Sequence, residues 1–305
     1  MDVYLVQPRG FCAGVRRALD VVQKALAEYG APVYVRHEIV HNKHIIEDLK
    51  NQGVIFIEDL KEVIDKTRPI ILSAHGAARQ VYQEAQQKQF ILIDATCPLV
   101  KAVHHHIKKL EQNGDDIIVI GKAGHPEILG TIGQLEYPEH AKLVGKKSDV
   151  ENLKIDMNKS IGIVTQTTLS TDETQEIVEV LKQKFKNLKN AEHPNICFAT
   201  TNRQNAIREL VKKTSNILVI GSKNSSNSRH LKEAALRCGA EQAWLIDDAS
   251  EVVWQKLDNC HSIGITAGAS APEYLVKGVL SALRQRYGNI NIYDVIIAEE
   301  KISFK

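Results

Sequence analysis

Three of the five cysteines in this chain share one local setting. Cys12 in PRGFCAGVRRAL, Cys97 in DATCPLVKAV and Cys197 in NICFATTNRQNAI each follow a strand-like run and precede a helical pattern. None has the close CxxC partner of a zinc ribbon or a dithiol redox motif. Three thiolates meeting at one point would hold a metal or a cluster. Zinc would need a fourth ligand, and its structural ligands usually arrive in close pairs, whereas these cysteines stand 85 and 100 residues apart. A [4Fe–4S] cluster normally takes four thiolates. With three, one iron keeps an open position that can act as a Lewis acid, and the cluster can pass electrons.

Polar loops recur behind the cysteines. His41 in EIVHNKH lies 29 residues after Cys12, His125 in GKAGHPE 28 after Cys97, and Ser225 in GSKNSSNS 28 after Cys197. A third loop follows in each stretch: His75 in ILSAHGAAR, Thr167 in IVTQTTLS and Ser270 in GITAGASAP. With Asn42, Ser226 and Asn227 these loops offer neutral hydrogen-bond donors, several just before helix N-termini that attract anions. Such a set suits a phosphate or diphosphate. No P-loop and no GxGxxG fingerprint is present, so a nucleotide is not implied. Glu127 is the one carboxylate among these loops and is the candidate general acid, with Thr167 or a water as relay.

These residues need elements to carry them. Short apolar runs at 3–6, 33–35, 54–57, 70–72, 90–93, 117–120, 142–144, 161–164, 217–220, 243–246 and 262–265 are mostly continuous, as in strands of a parallel sheet buried on both faces. Helical periodicity lies between several of them, at 15–29, 99–110 and 206–211. Alternation of this kind predicts an α/β fold. The repeated spacing predicts three related α/β units, at 1–88, 89–192 and 193–288, each with about four parallel strands, followed by a tail at 289–305 of one or two further strands. One continuous sheet with coincidental spacings is the alternative. Units related by a pseudo-threefold axis would bring the cysteine loops to the centre, at the carboxyl ends of the strands where ligands of open α/β sheets bind.

The bulk properties exclude other classes. A formal charge of +2 over 305 residues gives no nucleic-acid footprint, and no 18-residue apolar run exists to span a membrane. The N-terminus lacks a secretory pattern, and five sparse cysteines argue against a disulfide framework and for a reducing cytoplasm. Cys238, before Gly239 at a helix end, and Cys260 read as small core residues. His104, His105 and His106 point about 100° apart on a helix, so they cannot share one face and read as a solvated or interdomain surface. His37, His44, His140, His193, His230 and His261 read as background. Bland alternatives also exist for the loop residues: Ser225, Ser226, Asn227, Thr167 and Ser270 as helix caps, Glu127 as a first-turn acid. The Lys-rich run 181–189 reads as a solvated helix face, or as a surface for an acidic electron-donor protein.

The motifs RGFCAGVRRA, EIVHN, SAHG, DATCPLV, GHPE, TQTTLS, GSKNSSNS and TAGASAP together resemble the 4-hydroxy-3-methylbut-2-enyl diphosphate reductase family of the LytB type, in order over roughly residues 1–285. The resemblance implies a three-lobed α/β fold around one [4Fe–4S] cluster with an iron lacking a cysteine ligand. It implies reductive removal of the substrate's allylic hydroxyl in the last step of the non-mevalonate isoprenoid pathway, and an electron donor such as a flavodoxin or ferredoxin. By motif, Cys12, Cys97 and Cys197 match cluster ligands. His41, His75, His125, Ser225, Ser226, Asn227 and Ser270 match diphosphate-holding residues, Thr167 a residue beside the hydroxyl, and Glu127 the proton donor. A redox-neutral hydro-lyase with a three-cysteine cluster is the competing enzyme reading. A cluster-based regulator and a zinc-binding structural protein are the non-enzyme ones.

Overall fold

A computed structural model gives the fold and describes residues 1–156, 159–189, 191–192 and 194–304; His193 lies outside them. The order is β1 (Asp2–Gln7), α1 (Ala13–Tyr29), β2 (Val33–Arg36), α2 (Lys43–Asn51), β3 (Val54–Ile57), β4 (Ile70–Leu72), α3 (Arg79–Gln87), β5 (Leu92–Asp94), α4 (Pro98–Gln112), β6 (Asp116–Ile120), α5 (Pro126–Ile132), β7 (Ala141–Val144), α6 (Lys147–Glu151), β8 (Ile161–Thr165), α7 (Thr171–Lys184), β9 (Leu188–Lys189), α8 (Phe198–Val211), β10 (Asn216–Ile220), α9 (Ser226–Arg237), β11 (Gln242–Ile246), α10 (Trp254–Leu257), β12 (Ser262–Ala267), α11 (Glu273–Tyr287) and β13 (Asn291–Ile296). No described helix is long and apolar enough to cross a membrane.

The strands form three small sheets in which every pair is parallel, the α/β architecture expected. Their orders are β3-β2-β4-β5, β7-β6-β8-β9 and β11-β10-β12-β1-β13. The three share one plan. The last strand of each plan (β5, β9 or β1) leads toward a cysteine and pairs with the strand that ends in a third loop. Each cysteine strand therefore sits in the sheet of the preceding repeat, so the sheets take in sequence differently from the spans 1–88, 89–192 and 193–288. The tail supplies one described strand, β13, paired with β1 from Asp2↔Asn291 to Gln7↔Ile296.

The chain divides into two compact units. The first comprises Met1–Val15, His41–His44 and Phe198–Ser303, and the second comprises Arg16–Val40, Ile45–Cys197 and Phe304–Lys305. In the first unit the inner strands β10, β12 and β1 are buried on both faces, while the edge strand β13 is mostly exposed. Val3, Leu5, Leu218, Ile220, Ile263 and Ile265 pack against Val276, Val279 and Leu283 of α11. The alternate residues Val6, Ile217 and Val219 meet Ile207 and Leu210 of α8 and Leu231 and Ala235 of α9. In the second unit the β6–β8 sheet does the same, with Ile118, Ile120 and Ile163 against α7 and Ile117, Val119 and Val164 against α4. Each such side chain contributes about 1.5–3 kcal/mol on full burial.

The repeat extends into the packing. Leu110 and Leu210 each stand 13 residues after their cysteine, and each fills the space above a strand glycine. A Cβ on Gly162 would lie 2.4 Å from Leu110 Cδ1, and one on Gly264 2.8 Å from Leu210 Cγ. The position 13 after Cys12 holds Ala25, and β4 has no glycine.

Two expectations need correction. The run 181–189 is not one helix face: α7 ends at Lys184, whose ammonium donates to the carbonyls of Val150, Glu151 and Leu153, and β9 follows. The apolar run 90–93 starts its strand only at Leu92, and β5 is a half-buried edge rather than a doubly covered strand.

Candidate active site

The second unit carries the candidate residues His75, Cys97, His125, Glu127, Thr167 and Cys197. β6 ends at Ile120, and the following turn delivers His125 as the N-cap of α5. Its Nδ1 accepts the Glu127 N–H at 3.1 Å, so a neutral ring carries its proton on Nε2. Pro98 and Pro126 occupy the first positions of α4 and α5, where the missing N–H leaves no intrahelical bond unmade.

Glu127 is 2% exposed. Thr167 donates its N–H to Oε1 at 2.6 Å and its hydroxyl to Oε2 at 3.0 Å. Burial pushes the Glu127 carboxyl up to about 7, outweighing these two bonds, which favour the anion. Near neutral pH the group can both give and take a proton. The Thr167 carbonyl accepts the Cys197 N–H at 3.0 Å, so a single residue joins the buried acid to a cysteine. Thr167 does not cap α7, because Ser170 does.

Each of the three cysteines is tied in this way. The Cys97 N–H donates to Ala74 O at 3.0 Å, and the Cys12 N–H donates to Ala269 O at 3.1 Å. Ala74 precedes His75, and Ala269 precedes Ser270. All three thiols are half-buried and free of disulfides, as are Cys238 and Cys260.

His75 approaches His125 with ring centroids 5.7 Å apart and planes at 85°. Its loop turns at Gly76, with φ +79°, a conformation that favours glycine. The notch there is filled by His104: a Cβ on Gly76 would lie 2.5 Å from His104 Cε1 and 3.2 Å from Thr96 Cγ2. His104 is 5% exposed, its Nε2 is buried without a hydrogen-bond partner among the described residues, and burial lowers its pKa to about 4. The solvated reading of the histidine triplet is thus wrong for His104. Residue 104 continues the buried face of Val100, Val103, Ile107 and Leu110, a periodic signal that the triplet obscured. His106 meets Asn195, Nδ1 to Nδ2 at 3.4 Å, and Asn195 Oδ1 accepts the Thr165 N–H at 3.3 Å. The helix that Cys97 caps thereby braces both the His75 loop and the approach to Cys197. His105 alone is exposed.

The first unit carries Cys12, His41, Asn42, Ser225, Ser226, Asn227 and Ser270. Ser225 caps α9, its Oγ accepting the Ser228 N–H at 3.3 Å. Asn227 Oδ1 accepts the Ala269 N–H at 3.0 Å, tying α9 to the third loop. Ser270 is no cap either: α11 has Pro272 in that place, and the Ser270 hydroxyl donates to His41 O at 2.8 Å. Ser226 and Asn42 are buried beside them. The next residue, Lys43, has its ammonium 3.2 Å from Asp247, which fixes the loop that carries His41.

Comparison with known proteins agrees with the motifs. A family model described as LytB protein matches residues 3–284. A 4-hydroxy-3-methylbut-2-enyl diphosphate reductase of Beijerinckia indica subsp. indica is 46% identical over 305 residues, covering 100% of this chain and 95% of the relative. One of Haemophilus ducreyi is 47% identical over 307 aligned positions, covering 100% and 96%. Among solved structures, the E-1-hydroxy-2-methyl-but-2-enyl-4-diphosphate reductase of Plasmodium falciparum superposes with a TM-score of 0.93 at 37% identity, over 98% of this chain and 93% of that one. A second, described as the terminal enzyme of the non-mevalonate pathway, gives 0.65 at 29% identity over 93% and 100%.

Proposed function

The chain belongs to the LytB protein family, and from that premise we propose that it reduces (E)-4-hydroxy-3-methylbut-2-enyl diphosphate to isopentenyl and dimethylallyl diphosphates, the terminal step of the non-mevalonate pathway. Two electrons and two protons replace the allylic C–O bond by C–H and release water. The observation that carries this reading is Glu127, a buried carboxyl held near neutral pKa and joined through the residue Thr167 to Cys197.

Cys12, Cys97 and Cys197 are the ligands of one [4Fe–4S] cluster on this reading. The donor set fits: three half-buried thiols outside any disulfide, each fixed at its amide by a third-loop carbonyl. When bound, the cluster supplies electrons and one coordination position without a protein ligand. His41, His75, His125, Ser225, Ser226, Asn227 and Ser270 hold the diphosphate mainly by hydrogen bonds, His125 through its Nε2–H. Glu127 gives a proton to the departing oxygen, and the Thr167 hydroxyl stands beside that oxygen and relays the proton. An acid near pKa 7 is protonated often enough to donate and is readily recharged. A flavodoxin or ferredoxin supplies the electrons, and cysteines outside disulfides suit a reducing cytoplasm.

The test is anaerobic purification with iron and sulfide quantitation, then substrate consumption with and without reductant. Consumption that needs reductant and scales with cluster content is expected. Equal consumption without reductant would establish the redox-neutral hydro-lyase instead.

A further inference from the structure

The C-terminal segment plays no part in the function above, yet it is held in two places. β13 lengthens the first unit's sheet at β1, and the Ile297 N–H continues the ladder to Gln7 O at 3.0 Å. Beyond it, Glu300 reaches Arg203 on α8. Arg203 is 1% exposed, the largest of the fully buried side chains described. Its Nη1 and Nη2 meet the two Glu300 oxygens at 2.9 and 3.1 Å. The same nitrogens donate to Ala199 O and to Gly10 O, each at 2.8 Å. Asn202 adds a bond to Glu300 at 3.3 Å.

A guanidinium this deep stays charged and needs a carboxylate beside it. The carboxylate comes from the end of the chain. The carbonyl that the guanidinium holds belongs to Gly10, two residues before Cys12. We propose that the C-terminal segment is a latch on the Cys12 loop: Glu300 fixes Arg203, Arg203 fixes the Gly10 carbonyl, and the Cys12 thiol is thereby presented in one orientation. Arg203 and Glu300 are positioning residues. The proposal deepens the functional reading above and rests on Cys12 being a cluster ligand.

The test uses the full-length Glu300→Ala variant beside the wild type. First, iron release from the anaerobically isolated protein to a chelator is timed. Second, after metal removal, alkylation of each cysteine by iodoacetamide is mapped by mass spectrometry, with Cys238 and Cys260 as internal references. Loss of a charge-assisted bond predicts iron release roughly tenfold faster and a Cys12 alkylation rate changed several-fold, with Cys238 and Cys260 unchanged. Unchanged rates overturn the latch. Equal acceleration at all five cysteines also overturns it, because it marks general loosening. If Glu300→Ala yields too little folded protein, Arg203→Met combined with Glu300→Leu removes both charges. That pair keeps the selective Cys12 effect if the latch is real, since the Gly10 carbonyl has still lost its donor. A wild type isolated without iron and sulfide counts against the cluster reading, and the alkylation arm then decides the latch alone.

Discussion

The candidate residues of the two units differ in chemistry. In the second unit, burial raises the Glu127 carboxyl to about 7, beside the imidazoles of His125 and His75. In the first, Ser225, Ser226, Asn227 and Ser270 have no proton to exchange near neutrality, and their bonds fix loops to one another. The His41 carbonyl accepts the Ser270 hydroxyl there. On the proposed function the second unit moves a proton through Glu127 and also grips the anion through His75 and His125, whereas the hydroxyl and amide residues of the first only grip it. Variants at Glu127 and at those first-unit residues should therefore fail differently.

The largest effect belongs to Glu127→Gln. Steady-state assays should show kcat down by about 10²–10⁴ with KM little changed, the range of general acid catalysis. The same variant should reverse a stability cost. The folded state holds the Glu127 proton up to about pH 7, whereas the unfolded chain releases it near 4.5, so wild-type stability falls as pH rises across that window. Denaturant titrations at pH 5 and pH 8 should show Glu127→Gln gaining relative to wild type by up to about 3 kcal/mol at the higher pH. Next comes His104→Ala, which empties the Gly76 notch. A stability loss of about 2–3 kcal/mol and a raised KM are expected, with His104→Phe losing much less because the ring, not its proton, fills the space. The smallest effect is Asn227→Ala in the first unit, with KM up roughly tenfold and kcat nearly kept. A kcat loss there as deep as that of Glu127→Gln would erase the contrast.

Much of this was legible in the sequence. The continuous apolar runs became parallel strands, since Ile117–Ile120 and Ile217–Ile220 have helices on both faces to cover them. The family resemblance and the equal spacings pointed to the cysteines and loops that the backbone ties together. What stayed hidden depends on contacts between distant segments. His104 looked like one of three solvated histidines until Gly76 supplied its notch. Arg203 lies on a helix face that sequence reads as ordinary, and its partner Glu300 is 97 residues away. The exchange of cysteine strands between repeats is invisible to periodicity, because spacing along the chain does not say which sheet a strand joins. The two-residue β9 is too short to leave a pattern.

The division of labour is tested most directly by the pH dependence of kcat under saturating reductant, in wild type, Glu127→Gln and Asn227→Ala. A general acid must be protonated, so wild-type kcat should fall as pH rises past about 7, the value to which burial raises Glu127. Asn227→Ala should keep that limb, and Glu127→Gln should lose it, leaving a flat low rate. A limb that persists unchanged in Glu127→Gln would contradict the account, because another group would then be supplying the proton.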